Sequence, residues 1–199
     1  MGARVQAGMN LILTRSVLAA AVIATVTSAC SCSTVRQLRD PGSMPLDGKA
    51  SKIKENGAMA YQVATKIDAR PEVVWKVLTD ASAYTSWNST LVKLDGTIAK
   101  DQTIHLVAKV SPDRTFDLKV SELTPASKMV WEDGMPMGMF AGVRTFTLTP
   151  QTDGSTAFTM AEVFSGGMLG MIEGSLPDFT SDFEHFAADL KKRAESAPN

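Results

Sequence analysis

Cysteine and histidine are scarce in this sequence, and their scarcity excludes several kinds of protein. The 199 residues contain two cysteines and two histidines. Because Cys30 and Cys32 both lie near the amino end, the rest of the chain has neither a disulfide framework nor a cysteine-based zinc site. Long runs of like charge are absent as well. The formal net charge of -1 argues against a nucleic-acid-binding module, which normally carries a basic patch.

The sequence also lacks the usual catalytic and cofactor-binding motifs. It contains no G-x-S-x-G nucleophile turn, no H-E-x-x-H zinc motif, no P-loop and no dinucleotide-binding fingerprint. Residues 166–170 are glycine-rich, but no Lys-Ser or Lys-Thr follows them, so a phosphate site is not expected. His105 is predicted to face water from its strand, and His185 from the polar side of the last helix. Since spacing places no third ligand beside them, we expect no metal site and no cofactor.

The amino end has the pattern of an export signal. Arg4 and Arg15 precede an apolar run, residues 16–26, which is followed by small residues and Cys30. This order is typical of a secretory signal, and we assign residues 1–32 to it. The run is shorter than the ~20 apolar residues that a membrane span needs. We therefore expect an exported bacterial protein, either periplasmic or anchored to a membrane.

Two alternatives remain open for Cys30. Residues 27–30 resemble the lipobox of bacterial lipoproteins, although Thr27 stands where an aliphatic residue is usual. If the resemblance holds, Cys30 becomes the lipidated first residue and anchors the protein to a membrane. The alternative is an ordinary cleaved signal with two incidental thiols. In either case residues 33–56 predict a flexible tether, and residues 57–196 predict one domain.

The remaining chain predicts strands flanked by helices. Residues 61–67 alternate between apolar and polar and predict a strand, and residues 68–80 predict a helix with Pro71 at its start. A shorter helical segment at residues 81–87 follows. Six further strands are predicted at residues 91–96, 103–110, 115–123, 128–132, 143–149 and 157–164. This order indicates an α+β fold.

The last helix organises the predicted fold. Apolar residues recur there at helical spacing, namely Phe179, Phe183, Phe186, Ala187, Leu190 and Ala194. Ser175 is the predicted N-cap, and Pro177 is expected in the first turn, where its missing N–H is harmless. A stripe with three phenylalanines needs a large apolar partner surface. We therefore expect this long C-terminal helix to lie across a curved antiparallel sheet of about seven strands.

Three local stretches, in this element order, resemble the START-like superfamily, also called SRPBCC. Residues 67–75 are similar to its I-x-A-x-P-E-x-V-W entry into the first helix. Residues 84–88 are similar to its Y-x-x-W-N-P, with Ser89 in place of proline, and residues 142–150 form the third stretch. The resemblance covers roughly residues 60–195. The superfamily includes polyketide cyclase/dehydrase-type and lipid-transfer proteins. It implies a helix-grip fold around a deep apolar cavity that holds a hydrophobic small molecule.

The hairpin around Asp153 predicts a specific strand register. Three cross-strand pairs follow from one alignment of its strands: Leu148 with Phe158, Phe146 with Met160, and Arg144 with Glu162. An acid and a base then face each other on the inner side of the sheet. They are either a structural ion pair at the rim of the sheet or an anchor for the polar end of an apolar ligand.

Candidate cavity residues come from this hairpin, the last helix and two methionine-rich loops, residues 134–142 and 166–174. They are Arg144, Glu162, Phe146, Met160, Trp131, Met168, Met171, Phe179 and Phe183. Non-catalytic binding or transport of a lipid, a polyketide or a similar hydrophobic molecule is the leading functional prediction. One alternative is an enzyme of polyketide cyclase type, in which Arg144, Glu162 or Tyr61 moves protons. Another is a protein-interaction module that uses the methionine-rich loops.

Overall fold

The computed structural model describes residues 43–197 of the chain. The predicted signal and the lipidation site at Cys30 lie outside the described residues, and so do residues 33–42 of the predicted tether. Export therefore stays a prediction. Within residues 43–197, no helix is both long and apolar enough to cross a membrane.

Eight strands form a single antiparallel sheet, as the α+β prediction requires. The strands are β1 (Asp47–Glu55), β2 (Ala58–Ile67), β3 (Leu91–Asp95), β4 (Thr103–Ala108), β5 (Phe116–Thr124), β6 (Lys128–Met135), β7 (Phe140–Pro150) and β8 (Thr156–Ser165). Their order across the sheet is β1-β2-β8-β7-β6-β5-β4-β3. The helices are α1 (Pro71–Thr79), α2 (Tyr84–Trp87), α3 (Leu169–Ile172) and α4 (Thr180–Glu195). Because β2 pairs with β8, the first and last strands of the predicted domain are neighbours in the sheet, next to the edge strand β1.

Strand β1 corrects the prediction of a flexible tether over residues 33–56. Residues 47–55 are instead an edge strand paired with β2, and α4 holds it through Glu184, whose carboxylate accepts a hydrogen bond from the Ala50 amide at 3.2 Å. The strand is rich in exposed lysine, which suits a sheet edge but hides the strand from a hydrophobicity pattern. The missed signal was Asn56-Gly57. Both residues have positive φ (49° and 75°), as a two-residue hairpin turn requires.

The predicted register of the β7–β8 hairpin is confirmed at all three pairs. Leu148 faces Phe158, Phe146 faces Met160, and Arg144 faces Glu162. A slip of one residue would set the inner face of one strand against the outer face of the other, so the alternation excludes it, and the short turn at residues 151–155 fixes the rest of the register.

Helix α4 begins later than its sequence predicts. Its first residue is Thr180, and Asp178 accepts hydrogen bonds from the Thr180 amide and hydroxyl at 2.9 and 2.6 Å. The prediction of Ser175 as N-cap is wrong, because its hydroxyl donates to the Ile172 carbonyl in a separate turn, Glu173–Ser175. Pro177 therefore belongs to an extended linker before the helix.

The apolar face of α4 packs across the inner face of the sheet, as predicted. Its buried residues are Phe183, Phe186, Ala187, Leu190 and Ala194. The Phe186 ring lies 5.5 to 6.2 Å, between ring centroids, from Trp87, Phe146 and Phe158, so it joins α2, β7 and β8 in one core. Helices α1 and α2 also contact α4. The result is the helix-grip arrangement that the family resemblance implies.

Candidate functional site

A cavity of about 270 Å³ lies at one end of the sheet. It is bordered by the ends of β4, β6 and β8, the beginnings of β5 and β7, and the linker before α4. Most of its wall is apolar and comes from Leu106, Ala108, Phe116, Leu118, Trp131, Met135, Phe140, Phe164, Ile172, Leu176, Pro177 and Phe179. The polar and charged lining residues are Ser111, Arg114, Asp133, Arg144, Glu162 and Ser175, and Gly142 completes the wall.

An ion pair forms the polar part of the inner wall. Arg144 and Glu162 face each other on β7 and β8, and Trp131 of β6 lies on the other side of Arg144. Both Nε and Nη2 of Arg144 donate to the same oxygen, Oε2 of Glu162, at 3.1 and 2.6 Å. The side chains are only 20% and 14% exposed. The guanidinium carbon is also 5.5 Å from the centre of the Phe183 ring. Such shielding strengthens the pair, because little water competes for the charges.

Asp133 is a cavity residue that the sequence analysis missed. Strand β6 continues to Met135, beyond the predicted end at residue 132, and so Asp133 shares the inner face with Trp131 and Met135. The overlooked signal was the alternation of inward- and outward-facing residues from Trp131 to Met135. Assigning residues 134–142 to a methionine-rich loop ended the predicted strand too early. Burial and the nearby Glu162 carboxylate raise the pKa of Asp133, and Arg114, Arg144 and the Gly142 amide partly offset this rise.

Gly142 provides the space that Asp133 occupies. The two residues face each other across β6 and β7, and Phe164 faces Gly142 from β8. A Cβ atom at position 142 would lie 2.6 Å from Oδ1 of Asp133 and 3.5 Å from the Phe164 ring. The absence of a side chain therefore lets the carboxyl group lie inside the cavity wall.

We expect Asp133→Asn to raise the melting temperature at neutral pH. A carboxyl group whose pKa is higher in the folded state binds its proton more tightly there, so the folded state loses stability as pH rises through the titration. The asparagine side chain does not ionise, so the variant does not lose stability in this way. The gain should be largest at pH 7 and should shrink as pH falls toward the ordinary aspartate pKa of about 3.9. Thermal unfolding of wild type and Asp133→Asn from pH 7 down to 4.5, with the exposed Asp113→Asn as control, measures this gain in melting temperature. A gain that does not change with pH would contradict this explanation.

The predicted site residues divide into three groups. Arg144, Glu162, Trp131 and Phe179 line the cavity. Met160 and Phe183 instead border a smaller adjoining cavity of about 40 Å³, together with Arg144 and Phe179. The others line neither: Phe146 is buried against Trp131 with ring centroids 4.8 Å apart, Met168 is half-buried, and Met171 is 81% exposed. Tyr61 is fully buried among Phe164, Phe179 and Phe183 and does not line the cavity either.

The two methionine-rich loops lie side by side at the rim of the cavity. The Met168 amide donates to the Met139 carbonyl at 2.9 Å. Met135 and Phe140 of the first loop line the cavity. Ile172 of the second loop and the linker that follows it, before α4, also line it. Met137, by contrast, is 93% exposed. Protein interaction by these loops stays a prediction.

The two histidines lie outside the cavity. His105 is exposed on β4, and its Nδ1 is 2.7 Å from a carboxylate oxygen of Asp117. His185 is exposed on α4. In the described part of the chain, no three His, Cys, Asp or Glu side chains are grouped as a metal site would need.

Comparisons with known proteins agree with this architecture. Among solved structures, a START superfamily protein from Mycobacterium smegmatis is similar with a TM-score of 0.51 and 16% identity over 68% of this chain and 97% of that protein. The Zhui aromatase/cyclase from a Streptomyces species is similar with a TM-score of 0.51 and 15% identity, over 69% and 94% of the two chains. The di-domain ARO/CYC protein BexL gives a TM-score of 0.55 and 11% identity over 71% of this chain and 52% of BexL.

At these identities the likeness establishes the fold. The search of curated proteins found no significant match. The family described as "Polyketide cyclase / dehydrase and lipid transport" matches residues 59–195, which include all the described strands and helices except β1 and the first residue of β2. The chain therefore belongs to the polyketide cyclase/dehydrase and lipid transport family.

Proposed function

We propose that the protein binds a small, mostly apolar molecule in this cavity, with the polar end of the molecule against the Arg144–Glu162 pair. The observation that carries the proposal is an apolar cavity whose wall contains a shielded ion pair and a further carboxyl group, Asp133. Binding sites for small molecules commonly combine apolar walls with a few polar groups that orient the ligand. The family matched by this chain includes lipid transport, which supports the same reading.

The size of the cavity restricts the ligand. Its volume of about 270 Å³ lies just below the ~300–1,000 Å³ of pockets that take drug-sized molecules. A single hydrocarbon chain of medium length or a compound of about two fused rings is therefore the expected occupant. A lipid with two long chains does not fit within this volume.

A substitution that fills the cavity tests the proposal. Ala108 is half-buried in the wall, so Ala108→Phe should place a ring in the space that the ligand needs and weaken binding about tenfold or more, which corresponds to ~1.4 kcal/mol. The measurement is calorimetric titration of the full chain with 1-decanol. Native mass spectrometry of protein purified from its own host would identify any natural ligand.

The matched control is Ala188→Phe, the same change at an exposed position of α4. It should leave the affinity for decanol unchanged. Equal affinity of wild type and Ala108→Phe, with both folded, would contradict binding in this cavity.

A second candidate function is acid–base catalysis on the bound molecule. The specific observation is that two carboxyl groups of different environment line one cavity. Glu162 accepts two hydrogen bonds from Arg144, whereas burial raises the pKa of Asp133 and favours its protonated form. A pair of this kind can divide the roles of base and acid. Similar structures described as aromatase/cyclase and ARO/CYC point in the same direction. Conversion of a host-derived ligand by wild type but not by Glu162→Gln, read by mass spectrometry, would favour this function.

A further inference from the structure

The charged residues of the cavity provide little uncompensated positive charge that could bind an anionic ligand. Among the described residues that line it, the acids are Asp133 and Glu162, and the cations are Arg114 and Arg144. Equal numbers would suggest a neutral site. The positions and partners of the two arginines show otherwise.

Arg144 is already engaged. Two of its nitrogens donate to Glu162, and these bonds occupy the side of the guanidinium that faces β8. Asp182 of α4 is a further neighbour, because it borders the smaller cavity together with Arg144. Burial raises the pKa of Asp182, and the charges of His185 and Arg144 partly offset this rise. A single guanidinium thus stands among three carboxyl groups, those of Glu162, Asp133 and Asp182.

Arg114 stands at the solvent side of the cavity. It is exposed, and its guanidinium lies over the Phe116 ring at 4.5 Å from the ring centre. Water and salt weaken the field of an exposed charge within about 10 Å. The charge of Arg114 acts on Asp133, whose pKa rise it partly offsets, and it is weaker for a charge placed deeper, beside Arg144 and Glu162.

We infer that the cavity selects a ligand whose polar end is an uncharged hydrogen-bonding group, such as an alcohol, and rejects carboxylates of the same chain length. This inference rests on the proposed function and adds the class of ligand to it. A carboxylate loses its hydration on entry and meets Asp133 and Glu162 without a free buried cation to compensate. A hydroxyl group loses less hydration, and it can donate to a carboxylate oxygen.

The test compares 1-decanol with decanoate as a matched pair. Both are titrated by calorimetry into the full chain at pH 7 and the same salt concentration, with wild type, Asp133→Asn and Asp117→Asn. Asp117 is an exposed carboxylate on β5, so the control changes the net charge equally without altering the cavity wall.

Wild type should bind decanol at least about tenfold more tightly than decanoate. Asp133→Asn should narrow this ratio severalfold by strengthening decanoate binding, and Asp117→Asn should leave the ratio as in wild type. Decanoate binding as tightly as decanol to wild type would overturn the inference while upholding the proposed function. Failure of both ligands to bind would overturn the proposed function and the inference with it.

Discussion

Replacing Arg144 with methionine is expected to destabilise the fold and to weaken ligand binding together. Arg144→Met leaves the Glu162 carboxylate, 14% exposed, without its two hydrogen bonds. Removing one partner of a fully buried pair costs about 3–5 kcal/mol, and the partial exposure here places the expected loss near the lower end. The same change breaks up the ion pair against which the polar end of the ligand is proposed to lie, so decanol binding should weaken at least about tenfold.

The double variant Arg144→Met with Glu162→Gln separates the two effects. With no charge left at either position, most of the lost stability should return, because a neutral pair of similar size avoids an unpaired buried charge. Ligand binding should remain weak. Denaturant unfolding gives the free energies of the four members of this cycle, and calorimetry gives their affinities for decanol.

The control for this cycle is an exposed ion pair of the same sheet. Lys119 and Asp101 are 3.2 Å apart with side chains 55% and 62% exposed, so Lys119→Met should change stability by less than about 1 kcal/mol. A destabilisation by Arg144→Met no larger than that of Lys119→Met would contradict the view that the cavity shields its ion pair.

Replacing Gly166 with alanine is expected to lower the free energy of unfolding by about 3 kcal/mol, since a strained backbone and a steric collision act together. Gly166 has a φ of 116°, which L side chains rarely adopt. A Cβ there would lie 2.6 Å from the Met139 carbonyl oxygen and 2.8 Å from the Cα of Phe140. Both atoms belong to the backbone, so the loop or the start of β7 must move. Because Phe140 lines the cavity, decanol affinity should fall as well.

Two other glycines divide this effect into its parts. Gly154 has a φ of 83° with open space around its Cβ position, so Gly154→Ala measures the backbone strain alone, at about 1 kcal/mol. Gly167 has open space and no positive φ, and Gly167→Ala should change stability little. Denaturant unfolding compares the three variants. Equal losses of unfolding free energy for Gly166→Ala and Gly154→Ala would contradict a cost from the steric collision. They would show that the backbone at Met139 and Phe140 moves aside freely.

Much of the candidate site follows from local pattern because strands and helices have fixed periods. The period of two in β7 and β8 places Phe146, Leu148 and Phe158 on the inner face, and the short turn between the strands sets the register that brings Arg144 to Glu162. The period of 3.6 in α4 likewise selects the face that packs on the sheet. Both predictions depend on residues close in sequence, and both are confirmed.

Other parts of the site depend on contacts that no local pattern contains. Asp133 is a cavity residue because β6 continues past Gly134, and that continuation is stabilised by pairing with β7. Pro177 and Leu176 line the cavity because α4 starts only at Thr180 and leaves an extended linker before it. The position of Met171, exposed rather than in the cavity, depends on how the short helix α3 turns.

The amino-acid sequence by itself determined the family, the helix-grip architecture, the register of the β7–β8 hairpin and the pairing of Arg144 with Glu162. The family and the helix-grip architecture were implied by the resemblance of residues 67–75, 84–88 and 142–150 to a known superfamily. Periodicity selected the buried faces of the strands and of the last helix, and the short hairpin turn set the register. Only the tertiary structure decided the volume of the cavity, the inclusion of Asp133 and Arg114 in its lining, and the pairing of β1 with the sheet edge. These features arise where strand ends, loops and the linker before α4 meet, and such meetings depend on contacts between residues far apart in the chain.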